Sequence, residues 1–332
     1  MVRDSWLVIR GSWFVVRGSW LVMCLLLPGK VVFDRIKADG TTKEIPMPRL
    51  ILAAAMAAAA LHAQATPATL VVGPGEKYTI PSAAARAARD GDTVRILPGT
   101  YRDACVWRAN RLNIVGLASS GEVKVLPPEG GRLAERKGLW VLYGSDIRIA
   151  GISFEGARCP DKNGAGLWIG ANSGTTRVDR CSFTRNENGI LTTAAPSATI
   201  SIKNSTFRNC GHGDGYSHNI YVGKVGRLLC EGIVSDHCNQ GHCLKSRALA
   251  TEIVNCRFDD GNDGLSSYLV NCPNGGKVRL ERSTLVQSPV APNGIMVSIG
   301  EEGPYPDSSF KNENNRFDNR RTNGRTLRVR DS

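Results

Sequence analysis

The chain is 332 residues long, 42% apolar and 22% charged, with a formal net charge of +12. Eight basic and four acidic residues fall in the first 65 positions, and five arginines against one aspartate follow Asn319, so the body between them is only mildly basic. An excess of this kind fits an acidic polymer as partner without demanding one, and with no basic stripe interleaved with aromatics the chain lacks the signature of a nucleic-acid surface.

The first segment is a heptad repeat, Arg3-Asp-Ser-Trp6-Leu-Val-Ile, Arg10-Gly-Ser-Trp13-Phe-Val-Val, Arg17-Gly-Ser-Trp20-Leu-Val-Met, with four consecutive apolar residues in every seven. A coiled coil keeps apolar residues to its seam positions. A membrane span needs about 18 or more apolar residues in a row, and Arg10 and Arg17 interrupt this one. Beyond an unpatterned charged stretch, Met47-Pro-Arg49-Leu50 leads into an Ala/Leu run to Leu61 and then His62-Ala63-Gln64-Ala65. That is a positive n-region, an apolar h-region and an A-x-A cleavage site. The expectation is a signal peptide over 47–65 with translation starting at Met47, and residues 1–46 as a spurious or disordered extension. The mature chain then begins near Thr66, secreted or periplasmic, without stable membrane insertion and as a monomer. Nine cysteines follow Cys24, and an odd number leaves at least one free thiol. The bridges open to the rest include Cys210 or Cys230 with Cys238, but most are expected as small buried hydrophobes.

Thr79-Ile-Pro81-Ser-Ala-Ala-Ala-Arg86-Ala-Ala-Arg89-Asp90-Gly91 reads as a short helix, capped by Thr79, with Pro81 in its first turn and Gly91 as its stop. From there a repeat takes over: alternating apolar residues, then a small or polar residue two places before Phe. The anchors Phe154, Phe183, Phe207, Ile233, Phe258 and Leu285 are 29, 24, 26, 25 and 27 residues apart. Segments that alternate with period two, rich in Val, Ile and Thr and split by Asn-Gly, Asp-Gly and Gly-Gly, are strands and turns rather than helices. A propeller blade needs about 40–45 residues. One coil of a parallel β-helix fits, so residues 66–318 are predicted to form a single all-β right-handed solenoid. The helix covers its N-terminal end, as terminal repeats require. Residues 319–332 are expected as a flexible basic tail.

Asp90-Gly-Asp-Thr-Val-Arg-Ile-Leu-Pro98-Gly99-Thr-Tyr101 resembles the first coil of pectin-lyase-like β-helix proteins. Asn163-Gly-Ala-Gly166, Asn188-Gly-Ile-Leu191, Gly215-Tyr-Ser-His218-Asn-Ile-Tyr221-Val-Gly223, Gly241-His242-Cys-Leu-Lys245-Ser-Arg247-Ala248, Ser267-Tyr268, Pro273-Asn274-Gly-Gly276 and Gly300-Glu301-Glu-Gly303 are similar to a group of bacterial right-handed β-helix repeat proteins. The resemblance covers most of residues 70–320. It implies carbohydrate chemistry: lyases, hydrolases and epimerases acting on uronic-acid polymers. A shared fold alone does not fix which.

The four histidines after residue 66, His212, His218, His237 and His242, all lie within residues 212–242. Aligning His218 on His242 places adjacent coils in register. With Ile220 and Leu244 pointing inward, alternation sends Asn219, Tyr221, Cys243, Lys245 and Arg247 outward, with Tyr268 continuing the column. β-Elimination of a uronate needs a carboxylate neutraliser, a base and an acid. Arg247 suits the first through its bidentate fork, Lys245 the second if its pKa is lowered, and Tyr221 or His242 the third, with His218 beside them. Asn219, Tyr268, Asn274 and Glu301 are the candidate substrate contacts.

Other chemistries leave weaker traces. Asp259, Asp260 and Asp263 offer carboxylates for Ca2+, though such clusters are ordinary turn chemistry. His237-Cys238 and His242-Cys243 lack zinc-finger spacing. Gly211-His212-Gly213 and Asp259-Asp260 resemble fragments of a polygalacturonase site in reversed order, which keeps a hydrolase among the alternatives, with an epimerase and a non-catalytic polysaccharide binder.

Overall fold

In a computed structural model the described residues are 5–9, 12–17, 20–27, 30–37, 66–118 and 121–330. The signal segment expected over 47–65 lies outside them. The chain divides into two units, Met1–Thr66 and Pro67–Ser332. In the first, Ser5–Ile9, Ser12–Arg17, Trp20–Leu27 and Lys30–Lys37 pair as antiparallel neighbours in chain order, with Trp6 opposite Val15 and Trp13 opposite Cys24. The sequence predicts no ordered structure there. Their runs of Val, Ile, Phe and Trp are strand-forming.

The second unit is a right-handed parallel β-solenoid. Twenty-eight short strands form three sheets of ten, nine and nine, and successive coils add one strand to each. We call these the first face (Thr69–Val72 to Ser309–Glu313), the second (Gly99–Arg102 to Arg316–Asn319) and the third (Cys105–Trp107 to Arg325–Val329). The strand Arg325–Val329 pairs with Ile295–Ile299, and Arg320 donates to Gly261 O and Asn262 Oδ1. Within the predicted flexible tail, residues 319–330 are therefore part of the last coil, and Leu327 packs against the core.

The helix spans Pro81–Ala87. Thr79 is not its cap. Asp103, in the coil below, accepts the Ser82 N–H at 2.6 Å instead, which satisfies an end donor and ties the helix to the solenoid.

Aromatic rings fill the interior. Phe154, Phe183 and Phe207 stack with centroids 5.2 and 4.7 Å apart, all fully buried. The third face makes room for them with glycine: a Cβ on Gly166 would lie 2.9 Å from the Phe183 ring, and one on Gly189 2.8 Å from Phe207. The next residue in the phenylalanine column is Ser235, then Phe258, Leu285 and Phe317. Ile233, predicted for that place, is buried two residues earlier, level with Ser205 and Cys256. The cause is across the core. Asn219 stands where Gly189 stood one coil before, and its amide donates to Ser235 Oγ at 3.0 Å and to Asp236 O at 2.8 Å. A hydrogen-bonded Asn–Ser pair replaces the Gly–Phe pair, so the coils run 28 and 23 residues around Ser235 rather than 26 and 25. The nine cysteines of this unit are free thiols, eight of them buried, and Cys238 bridges neither Cys210 nor Cys230.

Candidate functional site

The outward column of the third face reads Val106, Val141, Trp168, Leu191, Tyr221, Lys245, Asn271, Ser298, Arg328, one residue per coil. Apolar residues line its N-terminal half and polar residues its C-terminal half. Tyr221 and Lys245 are in register as expected. The next rung is Asn271, not Tyr268.

Tyr268 belongs to a second column at the corner before the strands, with His218 and His242. Ring centroids are 4.6 Å apart between the histidines and 5.0 Å from His242 to Tyr268, and His218 also stacks on Tyr221. Each imidazole serves the backbone of the next coil. His218 Nδ1 accepts the His242 N–H at 3.0 Å, and His242 Nδ1 accepts that of Tyr268 at 3.4 Å. Asn188 does the same for His218 one coil earlier, at 2.9 Å. Both rings are thus neutral, with the proton on Nε2. Burial drives both pKa values down, His242 to about 3, with the Lys245 charge adding to it. An imidazole held this way is a poor proton donor, which favours Tyr221 as the acid.

Asn219 and Cys243, predicted to face outward, are fully buried. They precede the strands Ile220–Val222 and Leu244–Ser246, so the alternation that governs Tyr221 and Lys245 does not reach them. Asn219 is a core residue and leaves the list of substrate contacts.

Lys245 is half-buried, with Nζ 5.9 Å from the centre of the Tyr221 ring. Burial lowers its pKa and the Arg247 charge lowers it further, while Glu302 and Glu301 pull the other way. Arg247 lies on the same side, and each guanidinium nitrogen is engaged: Nε donates to Tyr221 Oη at 3.2 Å, Nη1 to Asn274 Oδ1 at 2.6 Å, and Nη2 pairs with Glu302 at 2.7 Å. Tyr305 Oη donates to the Arg247 carbonyl at 3.0 Å. A substrate carboxylate would therefore meet Arg247 by displacing Glu302, which is exposed and held by no other side chain described here. Glu301 accepts from Asn271 Nδ2 at 2.8 Å and from Ser298 Oγ, with Arg328 3.8 Å away. Asn271 is fully buried and its Oδ1 has no donor. A buried orphan acceptor calls for a partner, and this one lies one rung from Lys245.

The structure thus gathers Tyr221, Lys245, Arg247, Asn274 and Glu301, with His218, His242 and Tyr268 beside them. The sequence missed Glu302 and Tyr305. Glu302 stands in the sequence as the second carboxylate between Gly300 and Gly303, but nothing local ties it to Arg247.

The three aspartates considered for calcium do not converge. Asp259 pairs with Arg257, and Asp263 with His237. Asp260 is buried and accepts from Ser266 N, Ser266 Oγ and His237 N at 2.7–2.9 Å. The zinc donors are separated too, with Cys238 and Cys243 in the core and His237 at the surface between Asp236 and Asp263. Among the described residues no group of three or more His, Cys, Asp or Glu is placed to hold a metal ion.

No family model and no curated protein matches this chain. Solved structures do. The pectin methylesterase of Aspergillus niger aligns with a TM-score of 0.52 at 13% identity, over 80% of this chain and 90% of that one. A pectin methylesterase solved with a hexasaccharide aligns at 0.51 and 10% identity, over 80% and 94%. That of Erwinia chrysanthemi aligns at 0.50 and 11%, over 80% and 94%. What they share with this chain is the fold. It is a right-handed parallel β-helix, as the sequence predicts. Among the described residues no helix is long and apolar enough to cross a membrane.

Proposed function

We propose that this protein binds an acidic polysaccharide along its third face and cleaves it by β-elimination, with Lys245 as the base. The observation that carries the proposal is Lys245 itself: a half-buried amine, depressed in pKa by burial and by Arg247, pointing out of a sheet in register with Tyr221. Such a group is a base poised closer to neutral pH than an ordinary lysine. Support comes from the pectin methylesterases that share this fold, since pectin is a uronate polymer.

In the proposed reaction the C6 carboxylate of a uronate replaces Glu302 against Arg247, which withdraws charge and acidifies the C5 proton. Lys245 takes that proton. The C5–H electrons form the C4–C5 double bond, the C4–O bond breaks, and the departing oxygen takes the proton of Tyr221 Oη. Asn274, half-buried beside Arg247, is placed to hold a substrate hydroxyl. A second reading, ester hydrolysis at Glu301, draws support from the methylesterase neighbours and from the three groups that fix that carboxylate. A panel of methylated and unmethylated uronate polymers separates these chemistries. Elimination gives an ultraviolet-absorbing unsaturated end together with new reducing ends, polymer hydrolysis gives reducing ends alone, ester hydrolysis gives methanol alone, and a binder gives none. Methanol or reducing ends without the unsaturated product would refute elimination.

The same proposal places the protein outside the cytoplasm after cleavage near Ala65. N-terminal sequencing of mature material should begin near Thr66, and peptides containing Trp6 in that material would contradict it.

A further inference from the structure

The N-terminal half of the third face carries a second feature that the elimination chemistry does not use. Trp168 lies in the same outward column as Tyr221 and Lys245, two coils before the first and three before the second. At about 4.8 Å per coil, Trp168 sits about 14 Å from Lys245 along the axis. Its ring is half-exposed and meets the Tyr143 ring edge-on, with centroids 5.8 Å apart. The Arg108 guanidinium lies over the other part of the assembly, 4.9 Å from the centre of the Tyr143 ring. Glu135 fixes both, accepting from Tyr143 Oη and pairing with Arg108.

This platform is built rather than incidental. Gly170 is what lets the rings lie where they do: a Cβ there would stand 2.7 Å from the Tyr143 ring and 3.1 Å from Trp168. Leu191, half-exposed between Trp168 and Tyr221, continues the apolar strip to the rung before Lys245. At the other end a depression of about 490 Å3 opens beside Val106, lined also by Arg86, Arg108 and Ala134. Single exposed aromatics are common on protein surfaces and need no ligand. Two packed rings and an arginine beside the column that carries the candidate catalytic amine are a different case.

We infer that Trp168 and Tyr143 form a remote sugar-stacking subsite for the acidic polysaccharide, with Arg108 and Arg86 as its carboxylate partners. An aromatic face covers the C–H side of a pyranose ring and leaves its hydroxyls to solvent. A cation beside the ring selects chains that carry carboxylates. An extended glycan repeats at nearly the coil spacing, so a chain lying along the axis that places one residue on Trp168 brings about its fourth residue to Lys245. The inference rests on the proposed polysaccharide function and specifies the direction and minimum length of the ligand.

The test measures affinity of the intact protein for a trimer and a hexamer of galacturonate by calorimetry, in the wild type, Trp168→Ala, Trp168→Phe and Tyr143→Ala. The wild type should bind the hexamer much more tightly than the trimer. Trp168→Ala should weaken hexamer binding about ten-fold and leave trimer binding unchanged, with Trp168→Phe close to wild type. Tyr143→Ala gives a second readout should Trp168→Ala fail to fold. Failure of the wild type to bind either oligomer overturns the subsite. So does equal affinity for both lengths, or a loss in the alanine variants that is absent or the same for trimer and hexamer. Length-dependent binding without any unsaturated product would refute the elimination chemistry and leave the subsite standing. Turnover that depends on Lys245 but is indifferent to Trp168 would do the reverse.

Discussion

Acid should destabilise this solenoid through its histidine column, and the size of the effect can be worked out. His218 and His242 are 1% and 7% exposed. In the unfolded chain each titrates near the ordinary value of about 6.5. In the folded protein burial holds both well below that, His242 at about 3. Between those values the unfolded chain binds protons that the folded chain refuses, so stability falls as pH drops below about 6.5 and, for His242, stops falling below about 3. Each unit of that window is worth about 1.4 kcal/mol per histidine. Acidification from about pH 6.5 to about 4.5 should therefore cost up to about 2–3 kcal/mol for His242, and His218 adds a loss in the same direction. The control is His242→Asn. Asn188 shows that an asparagine in this column can accept the next coil's backbone N–H, and asparagine does not titrate. Urea unfolding at about pH 7 and about pH 4.5 should show the variant losing about 2–3 kcal/mol less than the wild type. Groups elsewhere in the fold titrate alike in both proteins and cancel in the difference. Equal losses in the two would refute the claim that a buried neutral imidazole sets this part of the acid response.

The other predictions concern the core, the base and the metal. Phe207→Ala removes a fully buried ring stacked 4.7 Å from Phe183 and should cost about 3–5 kcal/mol in urea unfolding; a loss below about 1 kcal/mol would be inconsistent with a filled column. Removing the Arg247 charge with Arg247→Met should raise the Lys245 pKa and move the rise of kcat/KM to higher pH, whereas Glu302→Gln should move it to lower pH. Shifts in the same direction would show that another group controls the profile. Asp260→Asn places an amide where a carboxylate accepts three hydrogen bonds and should cost about 1.5–3 kcal/mol. Calcium should change the melting temperature of neither this variant nor the wild type, and a rise of several degrees would reinstate the turn as a metal site.

The repeat was legible because each coil buries a residue at one fixed place on the second face, and a ring there is easy to see. Its one irregular coil was not. Ile233 matches the apolar template better than Ser235, and only the side chain across the core, Asn219, explains why a serine occupies the column. The same residue explains the misplaced substrate contact. Strict alternation holds for Tyr221 and Lys245 on the strands but stops at the corner, where Asn219 and Cys243 turn inward and His218, His242 and Tyr268 form a column of their own. Thr79 lost the helix cap to Asp103, which is near it only in three dimensions. Glu302 and Tyr305 reach Arg247 from two coils further along the chain, and no local pattern ties them to it.

The most direct test of the central claim is the yield of unsaturated product from a uronate polymer by Lys245→Ala, measured beside its affinity for the same polymer. A base acts on the transition state, so its removal should abolish turnover with affinity largely retained. Product formation by Lys245→Ala at a rate near that of the wild type would contradict the account.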